Sequence, residues 1–399
     1  YTGHVYVDKN KNGVFDQSEK PLAGIKVSDG LNVVETAADG SFTLPGHERE
    51  RFIFITTPSG YKTFNRHYHK IEEKQSGYDF GLMPYSGRIR KDGSHKYIHI
   101  ADTEIFNTEN HADWVNNVRD YARNEQAAFI IHTGDICYEK GLKAHIKLMN
   151  TENMDCPVFY CIGNHDLVKG KYGEELFESI YGPVYYSFDA GNVHYVVTPM
   201  PGGDHAPGYT SDDVCRWLKN DLAHIRPGTP VVVFNHDLLT YEDTFIFKSK
   251  NAGSINLNEY NLKAWVYGHW HINYMKKQGD VYSVCTSSLD KGGIDHSTTA
   301  FRVMHVDSKG DFTSELRYTY LDKNICIASP AGVMASGVLP VAVNVYSSVS
   351  PVREVLYTCL ADGKPVLKNK RLLQSTDWSW NGELPLSHKY VGKELTLRV

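Results

Sequence analysis

The chain has 399 residues, of which 41% are hydrophobic and 22% charged, and its formal net charge is -5. The chain is longer than a domain with a single hydrophobic core usually is, so two or three domains are predicted. The acidic balance disfavours general nucleic-acid binding, because no basic excess is available to neutralise phosphates. The sequence contains no apolar run of about 18 residues, so no transmembrane segment is predicted.

Residues 1–86 predict a small all-β domain. Short apolar segments alternate there with turns rich in Gly, Asp and Asn, which is typical of a β-sandwich. The predicted strands are Gly3–Val7, Gly24–Val27, Val33–Thr36, Ser41–Leu44 and Arg51–Thr57.

The loop between the first two of these strands has the spacing of a calcium-binding loop. Side-chain oxygens fall at loop positions 1, 3, 5, 9 and 12, with Gly13 at position 6, as in an EF-hand loop, although no helices flank it. The candidate calcium ligands are Asp8, Asn10, Asn12, Val14, Asp16 and Glu19. A solvated hairpin turn is the alternative interpretation.

This first segment resembles the calcium-binding, CnaB-like β-sandwich modules of bacterial surface proteins. In those modules a D-x-N-x-N-G-x-x-D loop precedes a short V-x-V-S-D-G strand, which corresponds here to Ile25–Gly30. The resemblance implies an extracytoplasmic location (periplasmic, secreted or surface-anchored) and a cell-surface or glycan context. The chain opens at Tyr1 without a methionine, and we therefore expect a mature form whose targeting segment has been removed.

Residues 87–322 predict an α/β domain, because strand-like apolar runs alternate with helical periodicity. One helix is predicted around Trp114–Ala122, and a second begins at Ser211, the predicted N-cap. The predicted strands are Tyr97–Ala101, Ala128–Ile131, Pro157–Ile162, Val193–Thr198, Pro230–Phe234, Ala264–Tyr267 and Val281–Cys285.

Residues 323–399 predict a second small all-β domain, since the helical periodicity stops and Pro and Gly separate alternating strands. The predicted strands are Leu339–Tyr346, Val352–Ala361, Gly363–Leu373 and Glu394–Val399.

Five polar clusters follow strands of the central domain, at the strand ends where α/β folds place their sites. The clusters are Asp102–Glu104, Gly134-Asp135, Gly163–Asp166, Asn235-His236 and Gly268–His271. Together they offer more nitrogen and oxygen donors than one cation accommodates, and they suit two cations that share a carboxylate. No cysteine lies in the clusters, which disfavours a structural thiolate zinc site.

The order of these clusters resembles that of the calcineurin-like metallophosphoesterases, whose motifs run D-x-H, G-D, G-N-H-[DE], H and G-H-x-H. The resemblance covers residues 95 to 320. It implies a metallophosphoesterase sandwich, an α/β fold of two β-sheets flanked by helices, here with small all-β domains at both ends. The three-part arrangement resembles secreted or surface-linked phosphoesterases of Bacteroides-type bacteria.

The resemblance implies two divalent metal ions, with Mn, Zn, Fe and Mg as the candidates, and a metal-bridging hydroxide that attacks phosphorus. Asp135 would bridge the two ions. The implied ligands are Asp102, Glu104, Asp135 and His271 for the first ion, and Asp135, Asn164, His236 and His269 for the second. His165 would protonate the leaving oxygen, with Asp166 as its orienting partner.

Glu104 departs from the family pattern, which usually has His at this position. If Glu104 is a ligand, its negative charge should favour Mn²⁺ or Mg²⁺ and should lessen the acidification of the bridging water. If it points away, the first metal site should be weak or empty.

The predicted substrate is a small phosphodiester or phosphomonoester. A diester is slightly favoured, because no arginine beside a motif indicates a clamp for a monoester dianion. Candidate substrate-lining residues are Tyr138, His205, Lys291 and His296, for which solvated loop positions are the alternative. The alternative function is a surface binding or adhesion protein that keeps the fold with weakened catalysis, and the acidic charge disfavours a nuclease.

Overall fold

The computed structural model describes residues 1–16, 18–72, 75, 77–294, 297–320, 323–333, 337–347, 350–375 and 379–399. The chain divides into two compact units, Tyr1–Ser314 and Glu315–Val399. The sequence-based limits at residues 86 and 322 stay predictions. Within the described ranges, no helix has both the length and the apolar character needed to cross a bilayer.

The first part of the larger unit consists of two small sheets that enclose one core. One sheet has the order β2-β1-β9-β7, with β5 paired to β1, and the other has the order β4-β3-β6-β8. Val5, Val27, Ile53 and Leu82 are fully buried between them. The strands are β1 (Thr2–Val7), β2 (Lys20–Pro21), β3 (Lys26–Ser28), β4 (Val33–Glu35), β5 (Ser41–Thr43), β6 (Phe52–Ile55), β7 (Tyr61–Thr63), β8 (Tyr68–Lys70) and β9 (Phe80–Pro84).

The central part is a sandwich of two larger sheets, with the orders β12-β11-β10-β21-β22 and β13-β14-β15-β18-β20-β19. A separate hairpin pairs β16 with β17. The strands are β10 (His95–Ile100), β11 (Phe129–His132), β12 (Val158–Tyr160), β13 (Tyr186–Ala190), β14 (Val193–Val197), β15 (Val231–Phe234), β16 (Ile246–Lys248), β17 (Ser254–Asn256), β18 (Leu262–Tyr267), β19 (Tyr274–Gln278), β20 (Val281–Cys285), β21 (Ala300–Val306) and β22 (Phe312–Tyr318).

Five α-helices accompany these sheets in the described residues. They are α1 (Ala112–Asn124), α2 (Tyr138–Leu148), α3 (Thr151–Met154), α4 (Glu175–Tyr181) and α5 (Ser211–Ala223), and short 3-10 turns occupy Asn164–Asp166, Leu257–Tyr260 and His388–Tyr390. The apolar face predicted around Trp114 is buried in α1, as expected. The sequence predicted a loop at Tyr138, but Tyr138 begins α2. The predicted cap at Ser211 is wrong by one residue, because Thr210 Oγ1 accepts the hydrogen bond from the Asp213 backbone N–H at 3.2 Å.

Strand direction brings the polar clusters to one edge of the sandwich. Strands β10, β11 and β12 are parallel, with Tyr97 opposite Phe129 and Ile130 opposite Val158. In the second sheet, β14, β15, β18 and β20 are also parallel. Carboxyl ends of parallel strands share an edge, so the residues that follow β10, β11, β12, β15 and β18 lie together.

The smaller unit has two sheets around a core that includes Val343, Cys359 and Trp380. Their orders are β23-β24-β28-β27 and β26-β25-β29, and the limit between the two units falls inside β22. The strands are β23 (Lys323–Ser329), β24 (Gly337–Ser347), β25 (Leu356–Ala361), β26 (Lys364–Arg371), β27 (Leu373–Gln374), β28 (Ser379–Leu386) and β29 (Leu395–Arg398).

Candidate metal centre

The backbone turns sharply at the ends of the site strands. Five of the seven predicted metal ligands have a left-handed φ, which side chains other than glycine rarely adopt. They are Asp102 (52°), Glu104 (46°), Asp135 (55°), His269 (65°) and His271 (50°). Such strained positions cluster at functional sites, where the surrounding structure holds them in place. The strain therefore marks this edge of the sandwich as the candidate site.

Asp135 lies at the centre of the cluster. Its Oδ2 is 3.1 Å from Nε2 of His236. It offers an oxygen to one group with His236 and His269 and to another with Glu104 and Cys137, and within each group the candidate ligand atoms lie within 4.8 Å of one another. Burial raises the pKa of the Cys137 thiol far above its usual range, so this side chain stays a neutral thiol and a poor ligand. Asp135 is thus shared by two groups of potential metal ligands.

Asp102, Glu104 and His271 form the side of the cluster that follows β10. Nε2 of His271 lies 3.3 Å from Asp102 Oδ1 and 3.3 Å from Glu104 Oε1. Both carboxylate oxygens of Asp102 accept from the backbone N–H of His269, at 3.2 and 3.1 Å. A Cβ on Gly268 would lie 2.7 Å from Asp102 Oδ2, which explains the glycine at this position. These contacts bring together side chains from two distant parts of the chain, residues 102–104 and His271.

The carboxylates strongly perturb the neighbouring imidazoles. Hydrogen bonds to Asp102 and Glu104 raise the pKa of His271 to about 10. Burial lowers the pKa of His236, but the charges of Asp135 and Asp102 outweigh it and raise this pKa to about 9. The concentration of negative charge that holds protons on these rings in the metal-free chain would equally attract divalent cations.

Two buried polar atoms test whether the residues fit a metal. Among the described residues, Asn164 Oδ1 has no hydrogen-bond partner, and His236 Nε2 makes no well-aligned hydrogen bond, although Asp135 Oδ2 lies 3.1 Å from it. Leaving such atoms unsatisfied is costly, and a cation bound at this place would satisfy both of them. Nδ1 of His236 lies 2.7 Å from the carbonyl oxygen of Thr133, which leaves Nε2 to face the carboxylates. An amide oxygen, imidazole nitrogens and carboxylates suit a divalent cation of the Mn, Fe or Zn type.

Glu104 points toward the cluster rather than away from it. Its Oε1 faces His271, and its Oε2 forms an ion pair with Lys291. The hydrogen bond to His271 is the main reason that the pKa of Glu104 falls to about 2, and Lys291 contributes to this decrease. Lys291 therefore offsets the extra charge that Glu104 brings, while the role of Glu104 as a metal ligand stays a prediction.

The carboxylate that contacts the His165 ring is not the one that the sequence predicts. Asp204 Oδ2 lies 2.8 Å from Nδ1 of His165. The buried Asp166 instead accepts from the backbone N–H groups of Cys137, at 2.8 Å, and Gly163, at 2.9 Å. Asp166 thus fixes the shape of the turn, and Asp204 is the residue that could orient the imidazole. Sequence reasoning did not identify Asp204 as a partner of His165, because no motif links the two residues.

The predicted substrate-lining residues differ in what they contact. The Tyr138 ring lies 5.3 Å from the His165 ring and stacks at 6.3 Å on Phe106, which is also exposed. Lys291 reaches the site through Glu104, whereas His205 is exposed beside Asp204. His296 lies outside the described residues.

The predicted calcium loop is internally hydrogen bonded. Asp8, which is 2% exposed, accepts from the backbone N–H of Gly13 at 2.9 Å, and Glu19 accepts from that of Lys9 at 2.9 Å. Asp16 Oδ2 accepts from the side-chain amide of Asn10 at 2.6 Å. These bonds close the loop, and calcium binding by Asp8, Asn10, Asn12, Val14, Asp16 and Glu19 stays a prediction.

The region that carries the site matches a known protein family. Residues 95–273 match the family described as calcineurin-like phosphoesterase, and residues 9–85 match the N-terminal domain of calcineurin-like phosphoesterases. Residues 95–273 therefore have the calcineurin-like phosphoesterase fold. The fold predicted from the motifs is confirmed, while the Bacteroides-type assignment and the CnaB-like resemblance stay predictions.

The chain is also similar to a curated protein, purple acid phosphatase 13 of Arabidopsis thaliana. The two are 26% identical over 215 residues, which are 50% of this chain and 36% of that protein. The chain thus spans about a third of the length of this relative.

Three solved structures have distant similarity to the chain. An archaeal phosphodiesterase is 13% identical, with a TM-score of 0.29 over 55% of this chain and 99% of that one. A phosphopantetheinyl hydrolase of Mycobacterium tuberculosis is 13% identical, with a TM-score of 0.33 over 49% of this chain and 91% of that one. Vacuolar protein sorting 29 of Cryptosporidium parvum is 11% identical, with a TM-score of 0.30 over 73% and 98% of the two chains.

Proposed function

We propose that the chain is a dinuclear metal-dependent phosphoesterase that hydrolyses a small phosphoester. The position of Asp135 carries this proposal, because its carboxylate belongs both to the group with His236 and His269 and to the group with Glu104 and Cys137, in which Glu104 rather than the neutral Cys137 thiol would be the metal ligand. A carboxylate shared in this way suits two adjacent cations. Asp102 and His271 would complete the first ligand set and Asn164 the second.

Two cations bound there would stabilise charge on the phosphoryl oxygens and provide a nucleophile from water near neutral pH. The chain itself would supply the acid. His165 is about one-third exposed at the site, and its hydrogen bond to Asp204 raises its pKa against the opposing effect of burial. A protonated His165 would donate its proton to the departing oxygen, while Asp204 would hold the ring in orientation.

We favour a diester over a monoester as the substrate. A monoester dianion carries an additional negative charge, which enzymes commonly meet with free cationic side chains. Lys291 is a cationic side chain beside the ligand set, and it is already paired with Glu104. This arrangement supports a substrate with less charge on phosphorus.

Hydrolysis of bis-(p-nitrophenyl) phosphate and p-nitrophenyl phosphate with added Mn²⁺ tests the proposal. We expect faster turnover of the diester and loss of both activities in Asp135→Asn. Asp113→Asn is the matched control, since it removes an exposed carboxylate of α1 and should leave turnover unchanged. A metal-free protein that hydrolyses neither ester but binds a glycan would instead support the alternative function as a surface binding or adhesion protein.

We also propose an extracytoplasmic location, supported by the resemblance of the first segment to modules of bacterial surface proteins. Fractionation of the source cells with an antibody to this chain tests the location. Recovery with periplasmic, secreted or surface fractions is expected, and recovery with cytoplasmic markers would contradict it.

A further inference from the structure

The loop that carries Asp204 connects β14 to α5, and we call residues 200–209 the Asp204 loop. It is closed on itself by a hydrogen bond from the Tyr209 hydroxyl to the carbonyl oxygen of Met200 at 2.7 Å. On the site side, the Asp204 backbone N–H donates to the carbonyl oxygen of Asn164 at 3.0 Å. A Cβ on Gly203 would lie 2.4 Å from that oxygen, so the loop packs closely against the turn that carries His165.

The other end of the Asp204 loop is held from the N-terminal segment. Arg51 immediately precedes β6 and donates from Nη2 to Glu174 Oε1 at 2.7 Å. Glu174 in turn accepts from the backbone N–H of Gly208, at 3.0 Å with Oε1 and 2.8 Å with Oε2. Arg49 adds a hydrogen bond from its Nη2 to the carbonyl oxygen of Gly208 at 2.6 Å. Both backbone polar groups of Gly208 are thereby tied to this network.

A backbone connection joins the segment of Glu174 to the middle of the loop. The N–H of Gly173 donates to the carbonyl oxygen of Ala206 at 2.8 Å, and the carbonyl of Gly173 accepts from the N–H of Val168 at 2.8 Å. A Cβ on Gly173 would lie 2.9 Å from the carbonyl oxygen of His205. Displacement of the Glu174 segment would therefore move the residues beside Asp204.

Burial makes Arg51 the stronger of the two arginine anchors. The side chains of Glu174 and Glu178 are 0% and 3% exposed, and Arg51 pairs with both. Removing the cation of a buried pair is strongly destabilising, because an uncompensated charge remains. Arg49 is 51% exposed, and ion pairs that are so exposed contribute little. Arg51 also stacks over the Tyr172 ring, 4.5 Å from its centroid.

We propose that Arg51 is a positioning residue for the active site. Through Glu174 and Gly208 it fixes the Asp204 loop, and through Asp204 it orients His165, so the N-terminal segment forms part of the catalytic apparatus. This role rests on the proposed function, because His165 matters to the reaction only if the chain hydrolyses phosphoesters.

A double-mutant cycle with an alkyl phosphodiester tests the kinetic part. We expect Arg51→Gln to lower kcat by up to about fivefold with little change in KM, because it misplaces a catalytic group without removing a substrate contact. In an Asp204→Ala background, Arg51→Gln should lower kcat by less than about twofold further. Arg51→Lys keeps the charge and should retain most of the activity. Arg66→Gln is the control, since Arg66 is exposed and stacks on Tyr68.

Hydrogen exchange of the metal-free protein tests the structural part without relying on activity. Peptides from residues 200–209 should exchange faster in Arg51→Gln than in the wild type, and they should exchange at the wild-type rate in Arg66→Gln. If Arg51→Gln does not fold, the same comparison is made with Arg51→Lys, for which a smaller increase is expected. Unchanged exchange of these peptides, or an equal loss of kcat with and without Asp204, would overturn the proposal. A wild-type protein that hydrolyses no phosphoester would instead refute the proposed function, and the exchange result would still decide whether Arg51 holds the loop.

Discussion

Replacing Asp204 by Asn isolates the charge that the structure places beside His165. The bond between Asp204 Oδ2 and His165 Nδ1 is 2.8 Å long, and the two side chains are 37% and 33% exposed. At such exposure an ion pair contributes about 0.2–1 kcal/mol, because water screens it. That energy corresponds to a factor of about 1.4–5 in rate. On the basic side of the pH optimum, kcat for an alkyl ester should therefore fall by up to about fivefold in Asp204→Asn.

The pH dependence gives the direction of this effect. An acid catalyst must be protonated, so activity is lost as the pH rises through the pKa of His165, which Asp204 raises. Without the carboxylate this pKa falls, and the basic limb of the kcat profile should move to lower pH. A p-nitrophenyl ester serves as the internal control, because its leaving group departs without a proton and its rate should change little. A basic limb that stays in place or moves to higher pH for the alkyl ester would refute the role of Asp204.

Three further changes follow from individual contacts. Glu104→Gln should lower metal affinity at the first site and release Lys291 from its ion pair, and metal analysis with unchanged occupancy and metal preference would contradict the ligand role. Burial raises the pKa of Glu178 to about 7 from an ordinary 4.5, so the folded state loses stability as the pH rises from about 4.5 to 7. Glu178→Gln should consequently stabilise the protein by up to about 3 kcal/mol at pH 8 and change it little at pH 4, as measured by urea denaturation. Thr210→Ala should cost about 1 kcal/mol through loss of the helix cap, whereas Ser211→Ala should cost less, and equal losses would contradict the cap assignment.

The position of the site could be predicted from the sequence because its residues follow strands in recognisable clusters. Asp102, Asp135 and Asn164 come after three parallel strands of one sheet, and His236 and His269 after two of the other. The carboxyl ends of parallel strands lie at the same edge of a sheet. Once the strands are predicted from the sequence, the clusters that follow them can therefore be predicted to lie close together. The family match to residues 95–273 confirms the resulting fold.

Contacts between distant loops could not be predicted, because no periodicity or motif encodes them. Asp204 approaches His165 from 39 positions away, and Lys291 reaches Glu104 across 187 positions. Both pairings depend on where surface loops return after their strands and helices have packed.

Helix α2 was missed for a local reason. Its N-cap residue Cys137 makes no side-chain cap hydrogen bond, and both Cys137 and Tyr138 have a left-handed φ. The helix also contains Gly141, which normally lowers confidence in a helix prediction. A Cβ at this position would lie 2.4 Å from the carbonyl oxygen of Ile105, so packing of α2 against that backbone requires the glycine. Tertiary contact here overrides helix propensity.

The metal content of the purified chain tests the dinuclear centre most directly. After removal of metal with a chelator and reloading with Mn²⁺, elemental analysis should find two ions per chain in the wild type and in the control Asp113→Asn. The loss of both ions is expected in Asp135→Asn, because Asp135 belongs to both ligand groups. Retention of two ions by Asp135→Asn, or a wild-type protein that binds fewer than two, would contradict the account.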